Sequence, residues 1–340
     1  MNKFYKILFF LTLISGTLVS ISSNSWLGMW LGLEINLLSI IPLINNTKNM
    51  MSSEASIKYF VTQALASSVL LMSIIILVLK TSLPFISQIN WTGMMILNSA
   101  LLTKMGAAPF HFWFPEVMEG LSWNNSMIML TWQKIAPMVV LMYSPKTINL
   151  IIVVIIFCMM ISGIMGFNQT SLRKILAYSS INHIGWMLAS IILMETVWTT
   201  YFIVYSIITL NITVMFKNLN IFQASQMSTM LSMNPQLKFL FSLNFLSLGG
   251  LPPFLGFLPK WMIIQELANH ELLSIAAIMV ILTVMTIYFY LRLTLSPMIL
   301  LNSSIQFPMK KANLNKFLIY SSNIIALLGL ISCTMMFNWL

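Results

Sequence analysis

The chain has 340 residues, of which 59% are hydrophobic and only 7% charged, and its mean hydropathy is +0.90. Soluble domains carry charge at about a quarter of their positions, so this composition excludes an ordinary soluble fold and specifies a polytopic membrane protein. The net charge of +10 is scattered over loops between apolar runs and forms no stripe of the kind that reads nucleic acid.

Apolar windows predict eleven transmembrane helices in an all-α fold, at about 4–22, 26–45, 55–79, 91–114, 123–143, 147–167, 171–194, 197–217, 237–267, 272–297 and 316–338. Lys3 and Lys6 precede the first run, which continues to about Val19 without a small-residue cleavage site and so is long enough to read as a span. Connections near 218–236 and 298–315 are short and polar. Lys3, Lys6, Lys48, Lys58, Arg173, Lys174, Lys217, Lys238, Lys310, Lys311 and Lys316 fall on the N-terminal side of this topology, and Lys80 and Lys146 on the other. That asymmetry places the N-terminus on the cytoplasmic or matrix side and the C-terminus opposite. Abundant Met, with 29 residues, and only two Arg suggest an AT-rich organelle gene. Cys158 and Cys333 stand in separate apolar runs without metal-ligand spacing, so neither a disulfide framework nor a metal site is expected.

Two spans are expected to be broken. The stretch LLTKMGAAPFHFWFPE at 101–116 contains Gly106, Pro109 and Phe110, and LSLGGLPPFLGFLPKW at 246–261 repeats the spacing with Gly250, Pro253 and Phe254. Proline lacks the N–H that would close the helix ladder, so the carbonyls freed by Gly106 with Pro109, and those freed at 246–253, must meet protein or water. Five spans separate the copies, which makes the second run opposite to the first. The pattern is that of inverted transporter repeats, one half about 26–143 around a break at 104–110, the other about 147–297 around a break at 249–260, with the helix at 316–338 appended.

Against this apolar background Glu34, Lys104, Lys134 and Lys260 lie within spans, with His183 as a fifth titratable group. Intramembrane charge costs at least about 2.5 kcal/mol on insertion scales and marks ion or proton pathways. Low dielectric favours a neutral amine and a nearby carboxylate favours the ammonium, a balance that suits a proton relay. The alternative is a packing role: one ion pair between Glu34 and a lysine, the other lysines snorkelling to an interface. His183, with Tyr178, Ser179, Ser180 and Asn182 close by, reads equally as a proton shuttle or as a hydrogen-bonded packing residue. His111 is expected to meet freed carbonyls, His270 to be solvated, and Glu116 and Glu119 to be surface carboxylates.

The motifs GLEINLL around Glu34, EASIKYFVTQALAS at 54–67, KMGAAPFHFWFPEV around Lys104, TWQKIAP around Lys134, NQTSLRKILAYSSINHIGWM, SLGGLPPFLGFLPKW and YFYLRL at 288–293 together resemble one family over nearly the whole chain. It is the mitochondrially encoded NADH-ubiquinone oxidoreductase chain 2 of animals, an antiporter-like membrane-arm subunit of respiratory complex I. The resemblance implies a proton-translocating subunit of the inner mitochondrial membrane, N-terminus in the matrix and C-terminus in the intermembrane space. Glu34 and Lys104 would form a paired input site, Lys134 the central relay and Lys260 the terminal exchanger. It implies no cofactor on this chain, with NAD, FMN, iron–sulfur clusters and ubiquinone on other subunits. The implied partners are the other membrane-arm subunits, antiporter-like ones included, and phospholipids, with no nucleic acid. A stand-alone cation/proton antiporter is the rival. A metal-cation site, however, asks for carboxylates beside the breaks, where the sequence has lysines. A purely structural subunit is a third reading.

Overall fold

A computed structural model describes residues 3–46, 49–81, 89–145, 147–231 and 235–299. The predicted span at 316–338, with Cys333, lies outside them, as do Lys48, Lys146, Lys310, Lys311 and Lys316. The chain divides into two compact units, residues 1–157 and 158–340.

The first unit holds α1 (Lys3–Ser22), α2 (Trp26–Ile44), α3 (Met50–Thr81), α4 (Ile89–Met105), α5 (Trp113–Gly120), α6 (Trp123–Leu130), α7 (Trp132–Tyr143) and the first half of α8 (Ile148–Phe167). Ser25 caps α2 by accepting the Gly28 N–H at 3.2 Å, the usual reason a serine precedes a helix. Glycine lets α1 and α2 approach closely: a Cβ on Gly32 would lie 2.5 Å from the Ser20 nitrogen. Such small-residue crossings substitute for the hydrophobic drive that hydrocarbon does not supply. Hydroxyls within the spans turn back on their own helix, as Ser20 does to the Thr17 carbonyl at 2.7 Å and Ser39 to that of Asn36 at 2.8 Å. α3 packs on α4 and α5, and α3 begins five residues before the expected span, where Glu54 and Lys58 pair at 3.0 Å.

The second unit holds the rest of α8, then α9 (Leu172–Leu193), α10 (Glu195–Leu219), α11 (Ala224–Leu231), α12 (Pro235–Gly249), α13 (Phe257–Asn269) and α14 (Leu273–Ile299). α9 is enclosed on all sides, with 94% of its membrane-length window buried, so it is the axis of this unit; α10, α13 and α14 pack on it. The connection expected to be merely polar contains α11. Asn220 ends α10 in the left-handed conformation, φ 52°, and Leu172 N–H donates to the Phe222 carbonyl while Ala224 N–H donates to that of Thr170. These paired loop segments clip the start of α9 to the end of α10.

Eight helices among the described residues are long and apolar enough to cross a membrane. The fourth and ninth predicted spans are each split in two, as α4 with α5 and α12 with α13.

Candidate functional site

Glycine, not proline, makes both breaks. Gly106 has φ 73° and Gly250 φ 75°, a left-handed conformation that costs glycine little and other residues more. At the first break Gly106 N–H donates to the Thr103 carbonyl at 3.2 Å and Ala107 N–H to that of Leu102 at 3.0 Å; at the second, Gly250 N–H meets Ser247 at 3.0 Å and Leu251 N–H meets Leu246 at 3.4 Å. This double bond pattern is the Schellman cap. The expectation that Pro109 frees helix carbonyls is therefore corrected: Pro109 and Pro253 lie beyond helices that have already ended, where proline prevents their resumption.

Side chains supplement the caps, sharing the Thr103 carbonyl and meeting those of Lys104 and Gly249, which the cap bonds do not reach. Trp113 donates its indole N–H to the Thr103 carbonyl at 3.1 Å, Gln63 approaches that of Lys104 at 3.5 Å, and the Lys260 ammonium donates to that of Gly249 at 2.8 Å. Lys260 sits in the first turn of α13, reached through turns rather than a continuous helix from Pro253. Its side chain folds back onto the break. His111, buried, holds Nδ1 at 3.2 Å from the Pro109 oxygen.

In the first unit, Lys104 in the last turn of α4 is 7% exposed and Lys134 near the start of α7 is 1% exposed. Glu34 is half-buried on α2; it closes no salt bridge to Lys104, and its Oε2 is buried with no hydrogen-bond partner among the described residues. Beside it Asn36 Oδ1 accepts from Gln133 Nε2 at 2.8 Å, and the Tyr59 hydroxyl reaches Gln133 Oε1 at 3.5 Å. The Lys134 ammonium lies 5.9 Å from the Phe114 ring centroid, within cation–π range. The fifth predicted span is not a plain helix: it is interrupted at Thr131, φ −113° and ψ −72°, three residues ahead of Lys134, with Pro137 just beyond.

In the second unit the Tyr201 hydroxyl lies 2.7 Å from His183 Nδ1, and the Tyr205 ring faces the imidazole at 4.9 Å between centroids. Ser180 is within hydrogen-bonding reach of Tyr205, and Tyr201, Tyr205 and Tyr290 are all buried. One helix position before His183, both amide atoms of Asn182 are buried without a partner, as is the indole nitrogen of Trp186. The Lys260 ammonium lies 5.8 Å from the Trp186 ring centroid. Glu34, Lys104 and Lys134 thus belong to the first unit, His183 and Lys260 to the second.

Sequence reasoning missed Gln63, Gln133 and the tyrosines. Tyr201 and Tyr205, four apart in an apolar run, share a helix face, and that spacing was the available signal. It placed a lysine at each break without noting that the two lie on opposite sides of their glycines. Lys104 precedes its glycine by two residues and Lys260 follows its glycine by ten; the residue ten beyond Gly106 is Glu116. Glu116 lies 2.8 Å from Lys58 and ties α5 to α3.

The model of the family described as NADH:quinone oxidoreductase/Mrp antiporter, transmembrane, matches residues 23–286. The chain is 50% identical to NADH-ubiquinone oxidoreductase chain 2 of Anopheles gambiae over 99% of both chains. It is 46% identical to that of Locusta migratoria over 89% of this chain and 88% of the relative. Its fold superposes on a chain of respiratory complex I from Thermus thermophilus with a TM-score of 0.86 at 22% identity, covering 98% of this chain and 79% of that one.

Proposed function

This chain belongs to the NADH-ubiquinone oxidoreductase chain 2 family, antiporter-like membrane subunits of complex I, and on that premise we propose that it translocates protons through a relay of Glu34, Lys104, Lys134, His183 and Lys260. The observation that carries this reading is three lysines buried among apolar helices, two of them beside helix ends opened by left-handed glycines. Buried ammonium groups are costly in hydrocarbon and are retained where charge has to pass. Glu34 and Lys104 act as an electrostatically coupled pair, so that a charge arriving at one alters the proton held by the other. Lys134, next to an interrupted helix, carries the proton onward. The buried amide of Asn182 and the His183–Tyr201 contact supply polar steps toward Lys260.

The redox groups, NAD, FMN, iron–sulfur clusters and ubiquinone, reside on other subunits in this reading. The chain works in the inner mitochondrial membrane with its N-terminus in the matrix, beside the other membrane-arm subunits and phospholipids. Protons fit better than metal cations as the translocated species, because Glu34 is the sole predicted mid-span carboxylate while lysines flank both breaks. The test is Lys104→Met, which nearly conserves volume. In the assembled complex, reconstituted in vesicles, NADH-driven ubiquinone reduction and proton uptake should fall strongly while assembly is kept. Wild-type rates of both would end the relay role of Lys104.

A further inference from the structure

We propose that the second unit carries a binding site for the phosphate of an anionic phospholipid, built around Arg292. A cavity of about 220 Å³ opens where the ends of α8 and α14 meet the loop before α9 and the start of α11, lined by Gly166, Gln169, Thr170, Ser225, Phe289 and Arg292. Its volume is below the roughly 300 Å³ at which pockets for whole small molecules begin, and suits a headgroup phosphate with its nearest carbons. Arg292 is exposed, and its one hydrogen bond runs from Nη1 to the Phe167 carbonyl at 3.3 Å; among the described residues no carboxylate pairs with it. Within the described residues the guanidinium thus keeps most of its fork of donors for an oxyanion.

Location selects a lipid as the source of that oxyanion. The loop at 168–171 and the connection at 220–223 join spans, so the cavity lies at a membrane surface, and the predicted topology makes it the face rich in Lys and Arg. Arg173 and Lys174 open α9 three and four residues beyond Thr170, adding positive field on the same face. Arg292 lies seven residues before the end of α14, about 10 Å along a helix, a depth from which arginine snorkels to headgroups. Tyr288, exposed and stacked on Phe167 at 4.7 Å between centroids, offers apolar surface beside the cavity for an acyl chain. Basic pockets between membrane helices bind anionic headgroups in this way.

The test uses the assembled complex, delipidated in detergent, with a photoactivatable phosphatidylglycerol as the probe and labelled peptides identified by mass spectrometry. Label is expected on peptides covering 166–175 and 289–293, competed by phosphatidylglycerol and not by phosphatidylcholine. Arg292→Gln should weaken labelling there about fivefold, one basic residue's worth of attraction at a membrane surface, while Arg292→Lys keeps most of it. The competition in wild-type complex decides the matter even if Arg292→Gln does not assemble. Equal competition by phosphatidylcholine, undiminished labelling in Arg292→Gln, or displacement by inorganic phosphate as effective as by the lipid would each overturn the proposal, the last by assigning a free-phosphate site.

Discussion

The ammonium of Lys260 donates to the carbonyl of Gly249 at 2.8 Å across the second break, so the lysine closes the end of the helix that its own segment interrupts. It has a structural task that Lys104, whose ammonium makes no corresponding bond to the first break, does not. Lys260→Met should leave a buried carbonyl unmet, a cost of about 1–3 kcal/mol. It should lower the amount of assembled complex more than Lys104→Met does. Side-by-side native gels of the two variants check this, and equal assembly would mean that the carbonyl finds another donor.

Gly250→Ala should be harmful on two counts. The alanine is strained at φ 75°, by about 1–3 kcal/mol for a residue held in a sparsely populated region, and its Cβ would lie 2.7 Å from Lys260 Cδ. Gly106→Ala shares the strain, but its Cβ would meet Phe114 Cβ at 3.1 Å and touches no lysine. Both variants should lower thermal stability of the complex; Gly250→Ala alone should also lower NADH-driven ubiquinone reduction per assembled complex, because it displaces Lys260. Matching activities in the two glycine variants would count against a special seating of Lys260 on Gly250.

Glu34 and Lys104 close no salt bridge, so the proposed coupling between them predicts a moderate interaction rather than an all-or-none one. A double-mutant cycle with Glu34→Gln and Lys104→Met on NADH-driven ubiquinone reduction should give a coupling of roughly 0.5–3 kcal/mol, the range of groups that share an environment. Strictly additive losses would separate the two residues.

The spans up to residue 297 and the two breaks were legible because composition, length and glycine–proline spacing are local properties of the chain. The mechanism of the breaks was not: Gly106 and Pro109 both disrupt helices, and only the backbone shows that the glycine acts first and that cap bonds and side chains meet the carbonyls expected to face protein or water. The interruption at Thr131 carries no glycine, and Pro137 lies on its far side, so nothing in the pattern announced it. Gln63 and Tyr201 matter through partners 41 and 18 residues away, a pairing that no periodicity encodes. The short helix Ala224–Leu231 was hidden for the opposite reason, since its polar residues read as loop.

Glu116 occupies the place in the first half that Lys260 occupies in the second, yet its surroundings differ. It is exposed and shares Lys58 with Glu54 at 2.8 and 3.0 Å. Exposed ion pairs contribute little, and Lys58 keeps Glu54 when Glu116 is neutralised. Glu116→Gln should therefore assemble and turn over at close to wild-type rates. A loss of proton uptake comparable to that of Lys104→Met would place Glu116 in the pathway and restore the symmetry that burial denies it.

His183 is the residue for which the sequence left packing and proton transfer level, and its neighbours provide a way to separate them. Tyr201 presents its hydroxyl to Nδ1 at 2.7 Å, whereas Tyr205 presents its ring and keeps its hydroxyl within reach of Ser180. Both tyrosines are 2% exposed, so removing either hydroxyl should cost a similar amount of stability, about 1–3 kcal/mol where a buried partner is left behind. The consequences for transport should diverge. Tyr201→Phe takes away the group that orients the imidazole and fixes which nitrogen carries the proton, and should lower the number of protons moved per NADH oxidised. Tyr205→Phe should leave that ratio unchanged. Measuring it in reconstituted vesicles, alongside thermal stability, distinguishes the two roles: parallel changes in both variants would make His183 a packing residue and remove it from the relay.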